Sequence, residues 1–400
     1  MDLDRYADLA VRVGINVQPG QDVMVYGQPE HAPIMRAIAA AAYRAGARRV
    51  VPRYVDTWFK KAAIEHGPME ALTTAYAWEI AVWEEWARIG GCFIAVDGEP
   101  DPGLMDGLDP ERVTAYPIEA AKAHHAAIER IQWTIVGTAT AGWATQVFGE
   151  PDVDRLWDAI SFVNRLDVPD PVAAWREHIG VLQARKRALE RLAPAAIRFR
   201  GPGTDLTLPM LRGTQWLAGT FPREDGVAFV PNMPTEEVYG TPHRGRGDGV
   251  VRATKPLPLP GGVLVEGLVL TIREGRIVDV QADTNAEMVR RELERDEGAS
   301  YLGEVAIVDG SSRVGQSGLV FQNTLYDENA GCHIAFGMAY RSTLAGADSM
   351  SEEELVAAGV NVSTVHTDVV IGGPEVDVDA LDEEGVVTPL LRDNTWQLPL

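Results

Sequence analysis

The sequence predicts an α/β protein in two parts: an N-terminal open parallel-sheet α/β domain, then a C-terminal strand-rich α+β domain. Three observations predict it. Four hundred residues are more than one ordinary hydrophobic core holds together, so two domains are expected. In the first half, apolar strand-like runs alternate with helical periodicity, the pattern of an α/β layer. Near residue 195 the composition turns β-rich, which places the boundary there and gives domains at 1–195 and 196–400.

The elements follow in order. Leu3, Ala7, Leu9, Ala10 and Val13 recur at helical spacing and predict an amphipathic helix over 3–15. Residues 23–27 read as a buried strand, 33–45 as an Ala-rich helix closed by Gly46, and 49–55 as the next strand. That is a βαβ unit, which closes as a right-handed parallel crossover. A strand at 91–96, a helix at 118–130 and a strand at 132–136 continue the alternation. The turn Gly27-Gln-Pro-Glu30 carries neither G-x-G-x-x-G nor a Walker pattern, so no nucleotide site is expected. His124 and His125 are adjacent, point about 100° apart on a helix and cannot share one metal. With His31, His66 and His178 they read as surface or satisfied core histidines. Trp133, Trp143 and Trp157 surround a Pro- and Gly-marked stretch at 137–151, as core filling or as an aromatic-lined cleft. A long helix over 172–192 carries Arg185, Lys186, Arg187 and Arg191 in its last turns, where cations suit the helix dipole.

In the second half, 197–208 reads as a hairpin on a Gly-Pro-Gly turn, with strand-like segments at 214–220, 263–272, 276–282 and 303–308. Chemistry-bearing residues collect here. Glu236 and Glu237 sit in a polar loop between Pro234 and Pro242, and flanking prolines pin a loop as a metal ligand requires. A solvated acidic loop is the plain alternative. Glu304 stands at the mouth of an apolar strand, where an unpaired carboxylate is too costly and calls for a metal or another cation. Glu328 and His333 share a Gly- and Ala-rich segment. Tyr340 follows seven residues after His333, two turns on if that segment is helical. A capped helix with a core histidine would also explain it. His366 and Asp368 fall on one face of a β-branched strand that ends at Gly372-Gly373. Alone, such a pair reads as a sheet-stabilising hydrogen bond.

Together these eight residues weaken the plain readings. All but Tyr340 are standard ligands for divalent metals. A carboxylate-rich set with two histidines fits a pair of cations such as Zn²⁺, Co²⁺, Mn²⁺ or Mg²⁺. A carboxylate-bridged pair about 3.5–4 Å apart generates hydroxide and clamps an oxyanion.

Composition narrows the partners. A net charge of −22 leaves no basic surplus to neutralise phosphates, so nucleic acid and anionic membranes are not expected partners. Two cysteines, Cys92 and Cys332, make neither a disulfide framework nor a Cys-rich zinc site. The charged opening Met1-Asp-Leu-Asp-Arg has no apolar stretch behind it, and no run approaches about 18 apolar residues. A cytoplasmic location is expected.

Four motifs in order, Asn232-Met-Pro-Thr-Glu-Glu-Val, Leu302-Gly-Glu304-Val-Ala, Asp327-Glu-Asn-Ala-Gly-Cys-His333 and His366-Thr-Asp368-Val-Val-Ile-Gly-Gly, resemble the aminopeptidase T/aminopeptidase S family of dinuclear metallopeptidases. The opening at 1–56 and the tail at 372–399 are similar too. The resemblance implies a cytoplasmic homodimer acting on peptides, with two divalent metals in the C-terminal domain. It places ligands at Glu304, Glu328, His333, His366, Asp368 and one of Glu236 and Glu237. Glu304 would bridge, Tyr340 would donate to the oxyanion with a lowered pKa, and the Glu pair would shuttle a proton. The chain departs at Val369-Val370, where bulkier residues such as Phe-Met are expected, and this reshapes the pocket wall. A second reading is an Fe(II) ring-cleaving dioxygenase of similar fold, using His333, His366 and Asp368 as a facial triad. A non-catalytic binder is the third.

Overall fold

In the computed structural model, residues 2–223, 225–259 and 263–400 are described; Met1, Glu224 and 260–262 lie outside them. The chain divides into two compact units, Met1–Glu177 with Thr220–Met233, and His178–Gly219 with Pro234–Leu400.

The first unit is built on a parallel sheet. Strands β1 (Asp22–Gly27), β2 (Arg49–Tyr54), β3 (Cys92–Asp97) and β4 (Gln132–Gly137) lie in the order β4-β3-β1-β2, and Asn232–Met233 extends the sheet beside β4. Every neighbouring pair is parallel. Between β1 and β2, the helix Ala32–Arg44 buries Ile34, Met35, Ile38, Ala41 and Ala42 at helical spacing. The expected opening helix is α-helical over Leu3–Leu9 and widens into a π-turn over Ala10–Gly14. Helices Thr57–His66 and Ala77–Ile89, between β2 and β3, had no counterpart in the sequence reading.

The tryptophans fill core. Trp143 is buried, Trp157 meets Tyr6 edge-on and Trp133 packs near Phe229. His124 stacks on Trp83 at 4.3 Å between ring centroids, and burial, then His125 and Arg53, push its pKa down to about 4. His31 is a satisfied core histidine, with Nε2 2.8 Å from the Gly98 carbonyl.

The second unit stacks two antiparallel sheets. The larger runs Arg276–Gln281, Val269–Arg273, Asp248–Arg252, Thr204–Pro209, Ala196–Gly201, Asp377–Leu381, Val387–Arg392, Thr395–Trp396. The hairpin on Gly201-Pro-Gly203 is present, with Gly203 at φ 75°. The segment expected as one strand over 263–272 is two, Val263–Val265 and Val269–Arg273, separated around Gly267 at φ 62°. The smaller sheet runs His366–Val370, His333–Gly337, Leu302–Ile307, Val238–Gly240, Leu217–Ala218. The segment after His333 is therefore strand, not helix; Ile334 and Phe336 alternate with Ala335 and Gly337, a period of two that a helix would not use. Phe199, Leu206, Val251 and Leu270 of the larger sheet share one core with Val238, Val305, Ile307, Ile334, Phe336 and Val369 of the smaller.

Candidate metal centre

Strand alternation builds the site. With Val238, Val305, Ile307, Ile334, Phe336 and Val369 facing the core, the other face of the smaller sheet carries Tyr239, Glu304, Ala306, His333, Ala335, Gly337, His366, Asp368 and Val370. Glu237 precedes Tyr239 by two residues and joins that face. The register sets two rows: Glu304–Ala335–Asp368, and Tyr239–Ala306–His333–Val370. Small residues at Ala306, Ala335 and Gly337 leave a clearing among the polar groups. A bulge at Gly303 puts Leu302 opposite Phe336 and Glu304 opposite Ala335, so Glu304 faces the clearing while Leu302 stays in the core. A Cβ on Gly303 would lie 2.4 Å from the Gly337 carbonyl oxygen, which restricts the position to glycine.

Two candidate ion-binding groups result: Glu237, Glu304 and His333, and Glu304, His366 and Asp368. Glu304 belongs to both. Its Oε1 is 3.4 Å from His333 Nε2 and its Oε2 is 3.9 Å from His366 Nε2. His333 Nε2 lies 3.1 Å from Glu237 Oε2 and 3.9 Å from Asp368 Oδ1, and His366 Nε2 lies 3.4 Å from Asp368 Oδ1. Both rings are oriented from behind: Nδ1 of His333 is 3.2 Å from the Gly331 carbonyl and Nδ1 of His366 is 2.8 Å from that of Met338. A carbonyl only accepts, so in the neutral ring Nδ1 holds the proton and the Nε2 lone pair faces carboxylate oxygens. Lone pairs aimed at one another repel unless a proton or a cation sits between them. Glu237 Oε2 is buried and takes no hydrogen bond from the described residues. These observations fit the residues to divalent metal, and the carbonyls behind the rings are the usual outer support of a metal-bound histidine.

The electrostatics agree. Burial, then Asp368 and Glu237, pushes the Glu328 carboxyl well above the usual range, so Glu328 shares this field. Burial raises Glu304 to about 7 despite its pairing with His333. For His333, burial acts downward, but pairing with Glu237 and Glu304 lifts it well above the usual imidazole value. His366 rises to about 10: burial opposes this, and Asp368 outweighs it. Asp368 falls, because His366 outweighs burial. Four carboxylates around two imidazoles hold shared protons that a cation would displace.

Tyr340 packs against His366 at 5.0 Å and against Tyr239 at 5.7 Å between ring centroids, with the ring planes tilted by 57° and 58°. The resemblance implies a lowered phenol pKa. Without a cation, burial, then Glu304 and Asp368, hold Tyr340 well above its usual value, and the cation on which the implied lowering depends acts in the opposite sense. Tyr239 is raised likewise, by burial and then Glu304.

Of the Glu pair, only Glu237 enters the candidate groups. Glu236 Oε2 is 3.3 Å from His178 Nε2, its Oε1 accepts from the Arg313 N–H at 3.4 Å, and its own N–H donates to Asn329 Oδ1 at 2.7 Å. Asn329, fully buried, also donates through Nδ2 to the Leu325 carbonyl and to Glu328 Oε1. His178 was read as a surface or satisfied core histidine, and Asn329 and Tyr239 were not singled out in the sequence. Tyr239 had a usable signal, the period-two spacing from Glu237. Asn329 lay inside a quoted motif, and His178 had no spacing signal at all.

A cleft of about 220 Å³ opens on Glu328, His366 and Asp368 and is lined by Leu257, Leu259 and Val370. Of the departing pair Val369-Val370, Val369 belongs to the core and Val370 lines the cleft. No helix among the described residues is long and apolar enough to cross a membrane.

The comparisons with known proteins agree with a metal-binding protein. A family model described as thermophilic metalloprotease (M29) matches residues 1–396. Aminopeptidase T of Thermus thermophilus is 42% identical over 99% of this chain and 98% of its own length. Aminopeptidase 2 of Geobacillus stearothermophilus is 38% identical over 100% and 98%. The solved structure of wild-type AmpT from Thermus thermophilus superposes with a TM-score of 0.91 at 40% identity, covering 99% of each chain. That structure agrees with the α/β class read from the sequence. The chain belongs to the M29 family of thermophilic metalloproteases.

Proposed function

We propose that the chain is a metal-dependent aminopeptidase that removes N-terminal residues from peptides, with two divalent ions held by Glu237, Glu304, Glu328, His333, His366 and Asp368. The observation that carries this reading is the division of Glu304 between two separate ligand groups, one oxygen toward each imidazole. Relatives named aminopeptidases support the reaction class. When bound, such ions would lower the pKa of a water and polarise the scissile carbonyl.

The chain's own residues would do the rest. Glu237, whose Oε2 lies 3.1 Å from His333 Nε2, would take the proton from the attacking water and return it to the leaving amine. The protonated Tyr340 phenol would donate to the carbonyl oxygen as it gains charge. Glu236, tied to His178 and the Arg313 N–H, would hold the loop that presents Glu237. The substrate would enter by the cleft at Val370, and a cytoplasmic homodimer is the assembly this reading takes from the resemblance.

The ring-cleaving alternative is not supported: the relatives carry peptidase names, and Glu237, Glu304 and Glu328 exceed what a facial triad uses. Elemental analysis of the purified protein, with release of aminoacyl anilides before and after chelation, tests the proposal. Two ions per chain and chelator-sensitive release are expected. Release that survives complete chelation would overturn it.

A further inference from the structure

Among the described residues, Tyr239 is the one group on the site face whose polar atom is left without a role by the ligand set. It stands two residues past Glu237 on the same strand face and opposite Ala306, one of the small residues that form the clearing. The residue is 7% exposed, and its ring packs on Tyr340, which packs on His366. A phenylalanine would fill that volume and make the same ring contacts. The hydroxyl is the difference: it makes no hydrogen bond to the described residues, and it is not among the fully buried polar atoms left without a partner. It therefore reaches solvent on the site face, where an arriving ligand can meet it.

We propose that Tyr239 is a second catalytic hydroxyl, donating alongside Tyr340 to the carbonyl oxygen of the peptide bond being cleaved. This rests on the aminopeptidase reading. With no protein partner, the hydroxyl is available to an acceptor that the substrate brings. Two phenols in contact, with ring centroids 5.7 Å apart and planes tilted by 58°, bring two donors to one side of the site, which suits an oxygen that passes from carbonyl to oxyanion. Because that charge exists only in the transition state, the hydroxyl contributes to turnover more than to ground-state binding.

The test compares wild type, Tyr239→Phe, Tyr340→Phe and the double variant, all metal-loaded, on leucine p-nitroanilide. A phosphinic dipeptide that mimics the tetrahedral state and free leucine are titrated by calorimetry. Tyr239→Phe is expected to lower kcat about 100-fold with little change in KM. Affinity for the phosphinic mimic should fall in step with kcat/KM, while leucine affinity, metal content and Tm stay at wild-type values. Unchanged kcat and phosphinic affinity would overturn the proposal, as would a loss confined to KM or one that follows metal content. Wild-type protein that binds the phosphinic mimic but releases no anilide would sink the aminopeptidase reading itself, and this proposal with it.

Discussion

Glu236 and Glu237 are neighbours in the chain whose carboxylates go to different partners: Glu236 Oε2 lies 3.3 Å from His178 Nε2, Glu237 Oε2 3.1 Å from His333 Nε2. The two glutamates therefore separate in mutagenesis. Glu237→Gln is expected to release metal and abolish turnover, since it removes a ligand charge from a buried group. Glu236→Gln should keep metal bound but with affinity weakened about 10–100-fold, the usual effect of losing an outer support. Metal titration of both variants checks this; equal losses would contradict the division of roles.

Asn329 ties together the segments that carry Glu236–Glu237 and Glu328, accepting from the Glu236 N–H and donating to Glu328 Oε1 and the Leu325 carbonyl. Asn329→Ala strands a buried N–H and a carbonyl, so a stability loss of about 1–3 kcal/mol is expected. Metal affinity should fall as well, because Glu237 and Glu328 lose their common anchor. Urea denaturation with and without chelator separates the two effects. A variant that loses stability only in the metal-loaded form would show that Asn329 matters to the ions and not to the fold.

The pKa directions give the chelated protein a defined response to pH. Folding raises Glu304 from 4.5 to about 7 and His366 from 6.5 to about 10. Raised folded values mean the folded chain holds protons that the unfolded chain gives up. Their stabilising contribution is complete below the unfolded pKa and is lost as pH climbs through the folded one. Tm of the chelated protein is therefore expected to fall between about pH 5 and pH 9. Asp368 acts oppositely: its lowered pKa removes stability as pH drops below the ordinary aspartate range. Metal binding should release protons in the same window, measurable by calorimetry in buffers of different ionisation enthalpy. A Tm that rises from pH 5 to pH 9 would contradict the assigned directions.

Much of this centre could be read from residue types and spacing. His366 and Asp368 share a strand face by the same period-two rule that operates in the structure, and Glu304 before an apolar strand signalled a charge needing a partner. The choice between Glu236 and Glu237 was not legible, because it depends on where the strand begins and on Asn329 and His178, both distant in sequence. The state of the His333 segment was illegible for a related reason: its Gly- and Ala-rich composition suits either helix or strand, and pairing with strands on both sides decides it. The helices at Thr57–His66 and Ala77–Ile89 have mixed faces with few buried residues, Ile64 in one and Trp83 and Trp86 in the other, so periodicity carried little signal.

Ala335 and Ile334 are adjacent on the His333 strand and face opposite sides, which lets the space for ions be tested apart from the core. Ala335 lies in register between Glu304 and Asp368, and its small side chain keeps the clearing open. Ile334 is buried in the core between the two sheets. Ala335→Leu is expected to fill the clearing and abolish metal binding, at an overpacking cost of about 1–3 kcal/mol. Ile334→Ala should do the reverse, losing about 2–5 kcal/mol of stability to a cavity while the protein that remains folded still binds metal. Metal content and denaturant midpoints measured on both variants give two independent axes. If Ala335→Leu kept its full metal content, the ions would have to lie elsewhere than over this face of the sheet, and the ligand set drawn from it would fail.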